Sequence, residues 1–153
     1  MAIAAIMAVI SVSMASCADP EEGETWSEWE FRNFLIGFAG TWSIQMMKDA
    51  NGNWITWEHL NDFYFSVKFK KDHSFESEKF SYREDGYYDE STREAYDASN
   101  KTYYTISKSK IIECTVDGQP YFRFTLSKKP DSTMEGTLFF YRENKSYYVI
   151  LYR

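Results

Sequence analysis

A chain of 153 residues has room for one domain and not comfortably for two. It carries 17 basic against 23 acidic side chains, a formal charge of −6, and that excess of acid argues against a nucleic-acid-binding surface, which needs Lys and Arg to displace counterions from phosphates. Aromatics are 19% of the chain, too many for a disordered tail; three Pro and seven Gly exclude collagen-like or linker-like material, and two Cys cannot frame a disulfide miniprotein.

Residues 1–16 contain no charged side chain, and the run from Ala2 to Ile10 is apolar. It is short for a membrane-spanning helix, which needs about 20 residues, and reads as the apolar region of a secretory signal peptide. The ending Met14-Ala15-Ser16-Cys17 resembles a bacterial lipobox. That resemblance implies cleavage before Cys17, lipid attachment to its sulfur and a membrane as the first partner. Asp19-Pro20-Glu21-Glu22 follows, and the polar composition predicts a flexible tether over 17–24. An acidic tether directly after the Cys is similar to the export signal of surface lipoproteins in Bacteroidetes, which implies a cell-envelope, outer-membrane lipoprotein exposed at the surface. A plain signal peptide with Cys17 an ordinary residue is the alternative.

The domain is expected over 25–153. Thr25 or Ser27 can cap a helix from about Trp26 to Phe38, whose apolar positions recur every three or four residues and whose end is bracketed by Gly37 and Gly40. Everything after favours a period of two. Trp42, Ile44 and Met46 alternate with polar residues, and Phe63, Phe65, Val67 and Phe69 alternate with Tyr64, Ser66 and Lys68. Ile112, Cys114 and Val116, then Phe122, Phe124 and Leu126, then Leu138 and Phe140, then Tyr147, Val149 and Leu151 continue the pattern. Asn51-Gly52 and Asp117-Gly118 read as two-residue hairpin turns of type I′, in which both central residues need positive φ. The polar stretch from Arg83 to Lys101 reads as one long loop with a turn of helix near Ser91 to Tyr96. The fold class expected is therefore all-β: an antiparallel meander of about eight or nine strands, closed into a barrel and preceded by a short helix.

Gly40-Thr41-Trp42, after a short helix and opening the first strand, resembles the G-x-W motif of lipocalins. Thr102-Tyr103-Tyr104-Thr105-Ile106, followed by Lys110-Ile111-Ile112, is similar to a hairpin of lipocalin-like lipoproteins from Bacteroidetes. The resemblance covers roughly residues 38 to 153. It implies a barrel floor built on Gly40 and Trp42, with a basic residue near the C-terminus, Arg153 or Arg142, over the Trp ring.

Little in the chain points to catalysis. His59 and His73 lie near predicted turns, Cys114 alternates onto an apolar face, and no Cys/His spacing fits a zinc site. Asp49-Ala50-Asn51-Gly52-Asn53 is explained by a hairpin turn rather than a calcium loop. No enzyme, cofactor or metal is expected, and two binding functions compete. In the first, the barrel holds a small apolar or aromatic ligand in a cavity lined by Phe63, Phe65, Phe69, Phe122, Phe124, Leu138 and Phe140. In the second, those rings fill the interior, and loops carrying Tyr87, Tyr88 and Tyr96 meet an envelope protein or glycan. An inhibitor of a secreted protease rests on fold analogy alone. So many rings favour a filled barrel with at most a small pocket near one mouth.

Overall fold

A computed structural model describes residues 20–37, 40–56, 63–108 and 110–153. The expected signal peptide and Cys17 lie outside the described residues, as do Phe38 and His59. Helix α1 (Trp26–Ile36) starts with a capping box, in which Thr25 Oγ1 accepts from the Glu28 N–H and the Glu28 carboxylate accepts from the Thr25 N–H. It stops at Gly37, whose positive φ of 47° suits a residue without Cβ.

The strands follow in chain order: β1 (Trp42–Lys48), β2 (Trp54–Thr56), β3 (Phe63–Phe69), β4 (Phe75–Ser81), β5 (Glu94–Tyr96), β6 (Thr102–Ser107), β7 (Ile111–Val116), β8 (Gln119–Leu126), β9 (Thr133–Phe140) and β10 (Lys145–Tyr152). Nine of them form one antiparallel path, β5-β4-β3-β1-β10-β9-β8-β7-β6, with β2 paired to β1 off the path. Because β10 pairs with β1, the meander curls on itself into a nearly closed barrel. Its seam lies between β4 and β6. There the Thr102 hydroxyl accepts from the Phe75 N–H (3.1 Å) and donates to the Phe75 carbonyl (2.7 Å), and the Tyr104 N–H donates to the His73 carbonyl (2.8 Å). Three bonds stand in for a strand ladder.

Several local expectations change. The positive φ at the first hairpin falls on Gly52 and not on Asn51, so this turn is longer than a type I′ pair; Asp49 and Asn53 close it with a 2.9 Å backbone bond. Asp117 and Gly118 both take positive φ, as a type I′ turn requires. In β1 the register slips between Ile44 and Met46, so Met47 rather than Met46 enters the core, which is the effect of a bulge on a period of two. The stretch from Arg83 to Lys101 is not one loop: it holds β5, two single 3₁₀ turns (Glu90–Thr92 and Ala98–Asn100) and a bridge between Tyr82 and Tyr88. The last part of the expected tether is pinned, since Glu24 bonds Arg32 and Glu21 bonds His73.

Topology gives the barrel two ends. The floor carries α1, the β3–β4, β6–β7 and β8–β9 turns and Arg153; the mouth carries the turns after β1, β4, β7 and β9. Between them, alternate residues of each strand point inward, and the seven residues Phe63, Phe65, Phe69, Phe122, Phe124, Leu138 and Phe140 are all buried. Phe31 and Leu35 of α1 join the same core from below.

Candidate binding site

At the floor, Trp42 is fully buried at the start of β1, and its Nε1 donates to the Leu35 carbonyl at 3.0 Å. The indole thus ties the last turn of α1 to the sheet. Phe34 tilts against it at 5.4 Å, and the Arg153 guanidinium lies 4.4 Å from the Trp42 ring centre and 5.0 Å from that of Phe34. Arg153 also donates to the Phe34 carbonyl at 2.6 Å. Burial lowers its pKa, the direction that withdrawal of a cation from water requires. Gly37 and Gly40 leave the room: a Cβ on Gly40 would stand 2.3 Å from Arg153 Cδ. Arg142, the other basic residue considered for this place, is at the mouth and pairs with Glu94 at 3.1 Å.

A second cluster fastens α1 from the side. Arg32 is 1% exposed, and it meets both Glu24 oxygens at 2.8 and 3.0 Å. The hydrogen bond from Arg32 is the main cause that holds the Glu24 carboxyl below its ordinary pKa, against the opposing effect of burial. His73, at positive φ in the β3–β4 turn, places Nε2 at 2.8 Å from Glu21 and Nδ1 at 3.1 Å from the Tyr104 carbonyl. It fastens the turn, the seam and the N-terminal segment together, beyond the placement near a turn that the sequence gives. Cys114 is a buried thiol whose pKa is pushed up by burial, the opposite of an activated nucleophile.

The interior is occupied by rings in mutual contact. Phe65 meets Phe122 edge-on at 5.1 Å and Phe140 at 5.3 Å; Phe75 meets Phe122 at 5.8 Å, and Phe69 meets Tyr104 at 4.9 Å. Toward the mouth, Phe63 packs on Tyr147 and Phe140. Lys79, inward on β4, lays its ammonium 4.4 Å from the Phe140 ring centre and bonds Glu143. Above this layer a hollow of about 250 Å³ opens at the mouth between Tyr96, Val116, Pro120, Tyr121 and Phe140. Tyr121 donates to Glu94 there at 3.2 Å, and burial raises its phenol pKa.

Outside the barrel, Tyr64 stacks on Phe80 at 4.8 Å, and Tyr82 and Tyr88 pack edge-on against the same ring. Tyr87, 72% exposed, lies beside this patch in sequence. Tyr96 is not part of it: it is half-buried against Tyr121 at 5.0 Å. A groove of about 620 Å³ runs between α1 and the β6–β7 and β8–β9 turns, with Phe31, Phe34, Leu126 and Pro130 as its apolar lining and Lys108, Lys110, Lys128 and Lys129 among its polar residues.

Sequence reasoning picked out Trp42, the interior Phe residues and the exposed Tyr87. It missed Lys79, the Glu24–Arg32 pair and the lysine groove. Period-two reading of β4 would have turned Lys79 inward with Phe75, whereas the groove draws on three segments that no local pattern joins. No protein-family model, curated protein or solved structure gives a significant match to this chain.

Proposed function

We propose that this chain is a lipid-anchored envelope lipoprotein of the lipocalin-like kind, held to the outer membrane through Cys17. Its barrel is a non-catalytic binding module that works through its outer surfaces and ends, engaging an envelope protein or a glycan. The observation that carries this reading is the ring-filled interior: Phe65, Phe122 and Phe140 touch one another across the space that a barrel ligand would need. The aromatic patch around Phe80 supports it, because exposed aromatics beside polar residues are what protein interfaces are enriched in.

A second reading, a small apolar or aromatic ligand, is favoured by the mouth hollow among the described residues. That hollow is below the ~300 Å³ at which drug-sized ligand pockets begin. The neutral apolar dye N-phenyl-1-naphthylamine separates the two. The filled barrel predicts weak binding, insensitive to Phe124→Ala. Submicromolar binding that vanishes in Phe124→Ala, with the fold intact, would instead establish a ligand carrier.

A further inference from the structure

The lysine groove beside α1 has a composition that neither reading uses. Its eleven lining residues include four Lys and one Glu, on a molecule whose formal charge is −6. Lys128 reaches Glu135 at 3.6 Å; among the described residues, no ion pair involves Lys108, Lys110 or Lys129. Cations gathered against the overall sign of the chain and left unpaired raise the local potential for an anion. The floor beneath them is apolar. Phe31 and Leu126 belong to the core, and Phe34 continues it as a half-buried ring.

From this juxtaposition we infer that the groove binds a single-chain anionic amphiphile, with its headgroup among Lys108, Lys110, Lys128 and Lys129 and its chain along Phe31, Phe34, Leu126 and Pro130. A volume of about 620 Å³ is within the range of small-molecule sites, so the headgroup and the first stretch of chain fit together. The groove is half open between a helix and two turns, with Phe34 and Pro130 offering more of their surface than the nearly buried Phe31 and Leu126. A recessed floor of this kind favours one chain lying along it over a plane of headgroups, and the vesicle arm of the test separates the two. The inference depends neither on anchoring nor on how full the barrel is.

The test is calorimetric titration with dodecyl phosphate below its micelle concentration. Saturable one-to-one binding is expected. It should weaken roughly tenfold for every two methylenes removed and at least tenfold in the triple variant K108A/K110A/K129A, whose exposed side chains can be removed without loss of fold. Raising the salt from 50 to 500 mM should weaken it further, since these lysines are solvent-screened. Four results would overturn the proposal: equal binding of dodecyltrimethylammonium, competition by inorganic phosphate as effective as by the amphiphile, unchanged affinity in the triple variant, or binding seen only with phosphatidylglycerol vesicles. The titration and the neutral-dye experiment read different places, so failure of one leaves the other standing.

Discussion

Trp42 shows how much one side chain can do at a barrel floor. Its ring faces Phe34 and Arg153, while its N–H holds α1 by the Leu35 carbonyl. Trp42→Ala should lower stability by about 3–5 kcal/mol, read from chemical denaturation, because it removes both the packing and the tie. Arg153→Ala should cost about 1 kcal/mol, since a partly exposed cation over two rings is a smaller term. Arg142→Ala should fall within about 0.5 kcal/mol of the parent, its partner being an exposed ion pair. An Arg153→Ala loss within about 0.5 kcal/mol of the parent would show that the cation over Trp42 contributes little. Glu24 gives a pH signature. Its folded pKa lies below the ordinary 4.5, so the carboxylate stabilises the fold above the unfolded value, and that contribution disappears as pH falls through the folded one. Melting temperatures of the parent and Glu24→Gln should therefore differ most near neutrality and converge as the pH falls below the ordinary carboxylate range. A gap that widens on acidification would contradict the Arg32 pairing. Of these residues, Trp42 was readable from Gly40-Thr41-Trp42, and Arg153 was readable only as one of two. Arg32 was hidden, because a charge on a short helix gives no local sign that its partner lies eight residues back.

Among elements, the seam between β4 and β6 is the weakest part of the barrel wall. Thr102 alone supplies both a donor and an acceptor to Phe75, from a buried position. Thr102→Val keeps the shape and orphans a buried N–H and a buried carbonyl, a loss of about 1–3 kcal/mol. Thr105→Val, exposed on the same strand, should be close to neutral. Amide exchange should report the same asymmetry: Phe75 and Tyr104 should exchange sooner than amides in the β9–β10 ladder, and faster still in Thr102→Val. Uniform protection around the barrel would mean that the seam is as strong as a ladder. Of the strands of seven or eight residues, β1, β3, β8, β9 and β10 were legible, because alternation over that length leaves little choice of face. The exception was β4, which interrupts its aromatics with Ser77 and Lys79 on the inner side. Elements of three residues, β2 and β5, were not, since their identity comes from the strand they pair with. Gly136 was passed over for a related reason. A Cβ there would stand 2.1 Å from the Thr125 carbonyl oxygen, a closeness set by β8 and invisible in β9.

For the whole molecule, the inward-facing rings were legible and the outer surfaces only partly so. Alternation assigns a face to Phe124 or Leu138, and enough rings on one face leave little room for anything else. A groove made where α1 passes two distant turns has no such pattern. The anchoring proposal is tested on the intact cell envelope: full-length protein should label with fatty acid and enter the detergent phase, while Cys17→Ala should be lost from the membrane fraction. Equal membrane association of the two forms would remove the anchor. The clasp at Glu21, Glu24, Arg32 and His73 then acquires a mechanical meaning. A pull applied at Pro20 reaches these side chains before any strand, and they pass it sideways into α1 and the β3–β4 turn. Once those ion pairs open, the load passes along the chain to α1 and only then to β1, which is paired to both β10 and β3. A molecule held at one point in a moving layer would have its strain relief ahead of its barrel.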